Sequence, residues 1–146
     1  MFTKFDVLET IDMVAKEHLD IRTITMGISL FSCVRDTAEE TALKVYDLVC
    51  SRAERIVKTA SDLSGEYGIP IVNKRASVTP VSLISAAFPE KAPLIAKALD
   101  DAAGRLGIDF LGGYSALVHK SASGYERTFL STIPEVLAST NRLCSS

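Results

Sequence analysis

The stretch IPIVNKRASVTP, residues 69–80, decides the fold prediction because it has the composition of a buried strand that ends in polar residues. Its isoleucines and valines favour an extended and enclosed backbone. Side chains alternate along a strand, so Asn73, Arg75 and Ser77 share one face while Lys74 points to the other. The stretch therefore predicts a strand with one polar, cationic face.

The end of this stretch predicts a site for an anion. Thr79-Pro80 is a helix-start signal, in which the hydroxyl caps the helix and the proline fills its first turn. A strand followed by a helix N-terminus is the usual setting of an anion site in parallel α/β folds, because free amides meet the ligand there. We expect Arg75 to bind an anionic group close to this helix, with support from Asn73, Lys74 and Thr79. The alternative is that these cations are surface charges or form ion pairs.

Helical and strand patterns alternate along the rest of the chain. Apolar residues recur at three- and four-residue steps in three segments, which predicts helices over 5–19, 38–67 and 94–106, and the helix start at Thr79-Pro80 predicts a short helix over 81–88. Gly68 and Gly107 are expected to end two of them. The segments 21–29 and 108–111 have the composition of further strands. In the first of these strands Gly27 belongs to a small, hydroxyl-bearing face that lines a cavity or lies against a helix.

Local signals give three further boundaries. Asp36 and Glu39 resemble a capping box at the start of the second helix. The polar segment 119–129 predicts a loop, after which Ile133-Pro134 opens a last helix. The closing LCSS, residues 143–146, resembles the entry to a further strand or loop, which suggests a truncated chain with an open sheet edge.

The repeated order of strand and helix predicts an α/β fold. We expect parallel strands near 21–29, 69–75 and 108–112 in one sheet, joined by right-handed helical crossovers. With 146 residues, of which 47% are hydrophobic and 23% charged, the chain is long enough to bury a core. It is either one α/β domain over 1–146 or the N-terminal part of a larger one.

Charge and cysteine content exclude several classes of partner. The net charge is −2, from 16 Lys and Arg against 18 Asp and Glu without long single-sign runs, so neither nucleic acid nor an anionic membrane is predicted. The N-terminus has the pattern of neither a secretory signal nor a membrane span. Cys33, Cys50 and Cys144 are widely spaced, which predicts reduced thiols in the cytosol, with no disulfide and no zinc site. The expected partner is a small molecule or a protein.

A second polar cluster follows the strand at 108–111. Gly112-Gly113 and Ser115 approach the G-x-S-x-G nucleophile motif, but Leu117 stands where its second glycine belongs. His119 has no acid placed to orient it, and His18 is expected to be a packed helix residue. The glycines therefore predict a turn, or a close approach of a ligand to backbone amides.

Five runs of residues resemble a known family: DIRTITMGISL, GIPIVNKRASVTPVSLI, GIDFLGGYSALV, STIPEVLA and RLCSS. They are similar to the N-terminal part of the uncharacterised PFL family, cytosolic prokaryotic proteins named for structural likeness to pyruvate formate-lyase. The resemblance implies a barrel of the glycyl-radical-enzyme type, homodimers, and a fragment or shortened relative. It implies no reaction, and the chain has no C-terminal glycine loop for radical chemistry. The segment 119–121 departs from the family pattern, which leaves the role of its loop open.

The stretches that match the family's motifs are 73–79, 112–115 and 144–146, and they coincide with the strand ends. Together with the spacing argument they give the predicted ligand-binding residues: Asn73, Lys74, Arg75, Ser77, Thr79, Gly112, Gly113, Ser115, Cys144 and Ser145.

Two functions are compatible with these residues. The first is an enzyme of unknown reaction that binds a small anionic metabolite at the strand ends, which requires a pocket with a perturbed acid or thiol. The second is a regulatory or structural binding module without turnover. The sequence supplies many hydrogen-bond donors and no convincing base, and it identifies no cofactor.

Overall fold

The computed structural model describes residues 3–17, 21–118 and 121–146, in which the chain forms one four-stranded parallel sheet. The strands are β1 (Ile21–Ile28), β2 (Ile71–Val78), β3 (Phe110–Gly112) and β4 (Leu143–Cys144). They lie in chain order, and every neighbouring pair is parallel. The predicted parallel sheet with helical crossovers is confirmed, and the closing LCSS does enter a strand.

The described residues form six α-helices, which in chain order are α1 (Lys4–Ala15), α2 (Ala38–Ala53), α3 (Ile56–Tyr67), α4 (Val81–Ile84), α5 (Ala92–Leu106) and α6 (Gly124–Ser139). Gly68 and Gly107 end α3 and α5 in left-handed conformations, with φ of 68° and 70°. Both helix stops agree with the prediction, since glycine adopts this conformation without steric cost.

The core lies on one face of the sheet. Strand side chains on that face are buried: Ile28, Ala76, Val78, Leu111 and Leu143. They pack against buried residues of α2, α5 and α6, among them Val45, Val49, Ile95, Leu99 and Phe129. Each fully buried side chain of this size stabilises the fold by about 1.5–3 kcal/mol relative to its exposed state. The helices therefore cover a single face.

The other face is not covered by the described residues, and we call it the open face. From the pairing registers it consists of Ile21, Thr23, Thr25, Gly27, Ile71, Asn73, Arg75, Ser77, Phe110, Gly112 and Cys144. Each of these residues is exposed or half-buried. The position of Gly27 on a hydroxyl-bearing face is as predicted. Gly27 lines a cavity, and none of the described helices covers that face.

The single helix predicted over 38–67 is wrong, because the chain forms α2 and α3 with a break at residues 54–55. Ala53 and Ile56 are both buried, so the apolar spacing continues through the break and conceals it. The predicted cap is also wrong by one residue. Thr37 caps α2, and its hydroxyl accepts the amide of Glu40 at 3.2 Å.

The last helix begins nine residues earlier than predicted. Ser123 and Glu126 form a capping box, in which the glutamate carboxylate accepts the Ser123 amide at 2.8 Å. The Ser123 hydroxyl also donates to this carboxylate at 2.6 Å and is the main reason that the pKa of Glu126 is lowered, and the amide adds to the effect. Pro134 lies inside α6 and does not open it. The predicted loop over 119–129 is therefore helical from Gly124 onward, because the cap satisfies the helix's first amides.

The apolar stripe of α1 remains exposed. Phe5, Leu8 and Ile11 are 75%, 62% and 53% exposed, so the packing expected of this amphipathic helix is not made by the described residues. His18 and Leu19, also considered with this helix, lie outside those residues.

The cysteines are free, as predicted. Cys33 is buried, and burial raises the pKa of its thiol. Cys50 is half-buried beside the core, where it acts as a small apolar residue. Cys144 is the exposed member of the three, on the open face.

Gly113 should be irreplaceable for packing. Its φ is 131°, and an added Cβ would lie 2.5 Å from Val78 Cγ2 and 2.7 Å from the Val78 carbonyl oxygen. We expect Gly113→Ala to lower the unfolding free energy by at least about 2 kcal/mol through backbone strain and overlap. Urea denaturation measures the change.

Gly112→Ala is the matched control, since a Cβ at Gly112 meets nothing within 4 Å. Its effect should stay within about 1 kcal/mol. Equal losses for the two variants would contradict this account of Gly113.

Candidate functional site

The open face brings together five of the predicted site residues. Arg75 lies between Thr25 of β1 and Phe110 of β3 in the pairing register. One pleat further toward the carboxyl ends, a row of small residues crosses all four strands: Gly27, Ser77, Gly112 and Cys144. Asn73 lies one pleat before Arg75. The structure thus places Asn73, Arg75, Ser77, Gly112 and Cys144 on one surface.

Among the described residues, Arg75 is the only charged one on the open face. Its guanidinium carbon lies 5.2 Å from the centroid of the Phe110 ring, a cation–π contact worth about 0.5–1 kcal/mol at an exposed site. Arg75 forms no ion pair with any residue that the structure describes. The ring therefore orients a guanidinium whose charge is not neutralised within the described residues.

Asn73 is fixed by one hydrogen bond to the neighbouring strand. Its side-chain amide nitrogen, Nδ2, donates to the backbone carbonyl of Arg22 at 3.1 Å. The side chain is half-buried and lies on the same strand and face as Arg75. Its bond to the backbone holds it in place beside the arginine.

Lys74 lies on the opposite face and is neutralised. Its ammonium is 3.1 Å from the carboxylate of Asp109, which also accepts the Lys74 backbone amide at 2.8 Å. The amide bond is the main reason that the pKa of Asp109 is lowered, and the ammonium adds to it. The Asp109 amide in turn donates to the Lys74 carbonyl at 2.8 Å. For Lys74 the ion-pair alternative is therefore correct, and we call this set of bonds the Lys74–Asp109 clamp.

The helix start after β2 does not offer free amides to a ligand. The helix α4 has four residues, and the amides of Val81 and Ser82 donate to the carbonyls of Gly113 and Ser115 at 2.9 and 3.3 Å. The Thr79 hydroxyl accepts the amide of Leu30 at 3.0 Å and does not cap the helix. The prediction of an anion site at this helix start is therefore wrong. The first amides of α4 bond to the loop after β3 at the carboxyl edge of the sheet.

Ser115 is buried and bonded to the end of the chain. Its hydroxyl oxygen lies 3.1 Å from that of Ser146 and accepts the Ser146 amide at 3.3 Å. Ser145 is half-buried next to it. His119, the weak candidate for a base, lies outside the described residues. Four of the predicted site residues thus lie at the strand ends and not on the open face with Arg75: Thr79, Gly113, Ser115 and Ser145.

Sequence reasoning missed three residues that organise this region: Asp109, Phe110 and Tyr114. Tyr114 is fully buried, its ring lies 4.7 Å from that of Phe129, and its hydroxyl is 2.7 Å from that of Thr132. Burial raises the pKa of this phenol. Strand alternation places Phe110 on one face and Asp109 on the other, and this alternation could be read from the sequence. It identifies Phe110 as the partner of Arg75, and Asp109 as the partner of Lys74, only when the β2–β3 register is known.

Two further findings concern the described ranges only. No group of three or more His, Cys, Asp and Glu side chains in them is placed to hold a metal ion. None of their helices has the length and apolar character needed to cross a membrane.

The Lys74–Asp109 clamp should give the protein a defined pH dependence. A lowered pKa means that ionised Asp109 is favoured in the folded state, so its contribution is complete above the ordinary pKa of 3.8 and is lost as pH falls through the lower folded value. We expect Asp109→Asn to reduce the unfolding free energy at pH 7 by about 1 kcal/mol, allowing for partial exposure. Denaturant titrations should show this difference shrinking below about pH 4.

Asp62→Asn is the control, because the Lys58–Asp62 pair is exposed on both sides and should contribute little. A difference between wild type and Asp109→Asn that persists unchanged at pH 2.5 would rule out the charged clamp.

Comparison with known proteins gives the family. The model described as Uncharacterised ACR (DUF711) matches residues 12–146. The UPF0210 protein of Ligilactobacillus salivarius (strain UCC118) is 51% identical over 96% of this chain and 32% of its own length. The UPF0210 protein of Thermoanaerobacter sp. (strain X514) is 54% identical over 97% of this chain and 31% of its own length. The UPF0210 protein of Halothermothrix orenii (strain H 168 / OCM 544 / DSM 9562) is 46% identical over the whole chain and 32% of its own length.

The chain thus spans about a third of the length of the curated relatives it matches. The names of these relatives state no reaction, and none of these matches shows a link to pyruvate formate-lyase. What they do show is membership, since the family model covers nearly all of the sequence: the chain belongs to the uncharacterised DUF711 (UPF0210) family.

Proposed function

We propose that this chain binds a small anionic ligand on the open face, with Arg75 as the anchoring residue. The observation that carries the proposal is that Arg75 is the only charge on that face and has no acidic partner among the described residues. Carboxylate and phosphate suit a guanidinium best, because its planar donors can bind two oxygens at once.

The contact with Phe110 supports this role. An arginine whose guanidinium lies over an aromatic ring keeps its in-plane N–H donors available for an anion. The ring also limits the conformations of a long side chain, which reduces the entropy lost when a ligand binds. Asn73 and Ser77, on the same strand and face, add neutral donors on either side of the arginine.

The neighbouring row leaves room for the ligand. Gly27, Ser77 and Gly112 are small, and Cys144 closes the row with an exposed thiol. Two residues of strand separate this row from that of Arg75, which is about 7 Å. Cys144 lies two strands away from β2, about 10 Å across the sheet, so a small anion anchored by the guanidinium would lie over Ser77 and Gly112 and not at the thiol.

A binding module without turnover is the alternative function, and one observation favours it. The described residues of the open face include no Asp, Glu or His, so they offer no carboxylate or imidazole as a general base. An enzyme built on this face would need a base from elsewhere, or would have to use the Cys144 thiol as its nucleophile. The anion site itself is common to both functions.

The pyruvate formate-lyase-like barrel implied by the resemblance is likewise a proposal. Strands in chain order with helices on one face are the arrangement that a barrel wall requires. In such a barrel the open face would point inward, where an unpaired guanidinium requires an anionic partner. Homodimers and a cytosolic location remain predictions.

Arg75→Gln should weaken anion binding. With inorganic phosphate as the probe, titrated by NMR into the isotope-labelled chain, we expect the dissociation constant to rise about ten- to a hundredfold, as for the loss of a charge-assisted hydrogen bond. Circular dichroism and the thermal midpoint should change little, because the exposed side chain contributes mainly one ring contact.

Arg105→Gln is the matched control. The Arg105 guanidinium also lies over an aromatic ring, 5.9 Å from the Tyr46 centroid, but it belongs to α5 and not to the sheet. Its replacement should leave phosphate binding unchanged. Equal affinity for wild type and Arg75→Gln, or an equal loss in both variants, would refute the site.

A further inference from the structure

Three neutral polar side chains flank Arg75 on the open face. Thr25 lies opposite it on β1, while Ser77 and Asn73 lie one pleat toward the carboxyl and amino ends of β2. Thr25 and Ser77 are exposed, and Asn73 is half-buried. Neighbouring strands lie about 4.8 Å apart and one pleat is about 7 Å long, so a molecule held by the guanidinium reaches all three side chains. They therefore select what the rest of an anionic ligand must carry.

The hydroxyls of Thr25 and Ser77 are available to a ligand. Neither hydroxyl bonds to any residue that the structure describes. The hydroxyl of Thr23, on the same strand and face as Thr25, instead donates to the Ile24 carbonyl at 3.3 Å. A hydroxyl donates one hydrogen bond and accepts up to two. Thr25 and Ser77 are thus matched by ligand groups that also donate and accept.

Asn73 adds a group that only accepts. Its Nδ2 donates to the Arg22 carbonyl at 3.1 Å, and because a carbonyl cannot donate, this bond fixes which end of the side-chain amide is the oxygen. Within the described ranges no donor bonds to that oxygen, Oδ1. A carboxylate or a fully ionised phosphate has no hydrogen to donate to it. The donor must come from another part of the ligand.

A hydrocarbon is a poor match for the surface around Arg75. The Phe110 ring beside it already has the guanidinium 5.2 Å from its centroid. The isoleucine of the open face on β2, Ile71, lies two pleats away, at about 13 Å along the strand. An alkyl chain over Thr25 and Ser77 would displace their water without replacing its hydrogen bonds, and a polar group left unpaired is costly.

We propose that the ligand of Arg75 is a small anion that also carries hydroxyl groups, which is the chemistry of a sugar acid or a sugar phosphate. This inference rests on the proposed function and specifies its ligand. The anionic group binds the guanidinium over Ser77 and Gly112, and the ligand hydroxyls bond to the neutral side chains around it. Hydrogen bonds of about 2.9 Å at both ends and a separation of about 7 Å indicate a ligand of about three to six carbons.

Two matched pairs of probes test the ligand class. Glycerol 3-phosphate is compared with n-propyl phosphate, and glycerate with propionate, so that within each pair the anionic group and the number of carbons are the same. NMR titration into the isotope-labelled chain measures each dissociation constant. In at least one pair the hydroxylated member should bind about tenfold more tightly than its partner. The pair with the larger preference identifies the anionic group as phosphate or carboxylate.

The double variant Thr25→Val, Ser77→Ala shows whether these hydroxyls cause the preference. It should reduce the preference to about twofold, since only Asn73 then remains to recognise a hydroxyl. The affinity for n-propyl phosphate should stay unchanged, which also shows that the variant is folded with Arg75 in place. Thr59→Val is the control, because Thr59 is an exposed threonine of α3, and it should retain the whole preference.

Two results would overturn the ligand class and leave the anion site intact. They are equal or tighter binding of n-propyl phosphate and propionate in wild type, and a preference for hydroxyls that survives in the double variant. In both cases Arg75→Gln would still weaken all of the probes that bind. Absence of binding by every probe, or binding that Arg75→Gln leaves unchanged, would instead refute the anion site itself.

Discussion

Burial of one face of the sheet under α2, α5 and α6 is the constraint on which the rest of the structure depends. It fixes the orientation of each strand, because a shift of one residue would turn Ala76 and Val78 outward and Arg75 into the helices. The glycine turn after β3 follows from it, since Gly113 lies against Val78. At the carboxyl ends of the strands, the hydroxyls of Thr79 and Ser115 accept backbone amides of Leu30 and Ser146 and so connect neighbouring loops.

The same constraint creates the open face. Hydrophobic packing decides which residues are enclosed, and the alternation of strand side chains leaves the polar set on the other side. Register then decides which neighbours meet. The Lys74–Asp109 clamp bonds the two strands immediately before the point where Arg75 and Phe110 pair. The Phe110 ring orients Arg75 on the open face, and the clamp on the opposite face helps to hold the register that brings the two side chains together.

Several parts of the sequence analysis rested on local rules and agreed with the structure. The strand at 71–78, the glycine stops at Gly68 and Gly107, and the free thiols are examples. The failures came where two local signals competed. Apolar spacing continued across the break at 54–55, and Pro134 outweighed the Ser123–Glu126 capping box. A helix does start after Thr79-Pro80, but its first amides donate hydrogen bonds to carbonyls of the segment 113–115. That competition is tertiary, so no local pattern could show it.

The sequence by itself determined the parallel α/β class and the separation of Lys74 from Arg75 onto opposite faces, because periodicity is a property of the backbone alone. Only the tertiary structure decided that Lys74 is neutralised by Asp109, that Thr79 and Ser115 bond within the chain, and that Arg75 lies over Phe110. These outcomes depend on which strands are neighbours and in what register. Segments more than thirty residues apart meet only when the helices pack against one face of the sheet, and that packing carries the information that the linear order does not.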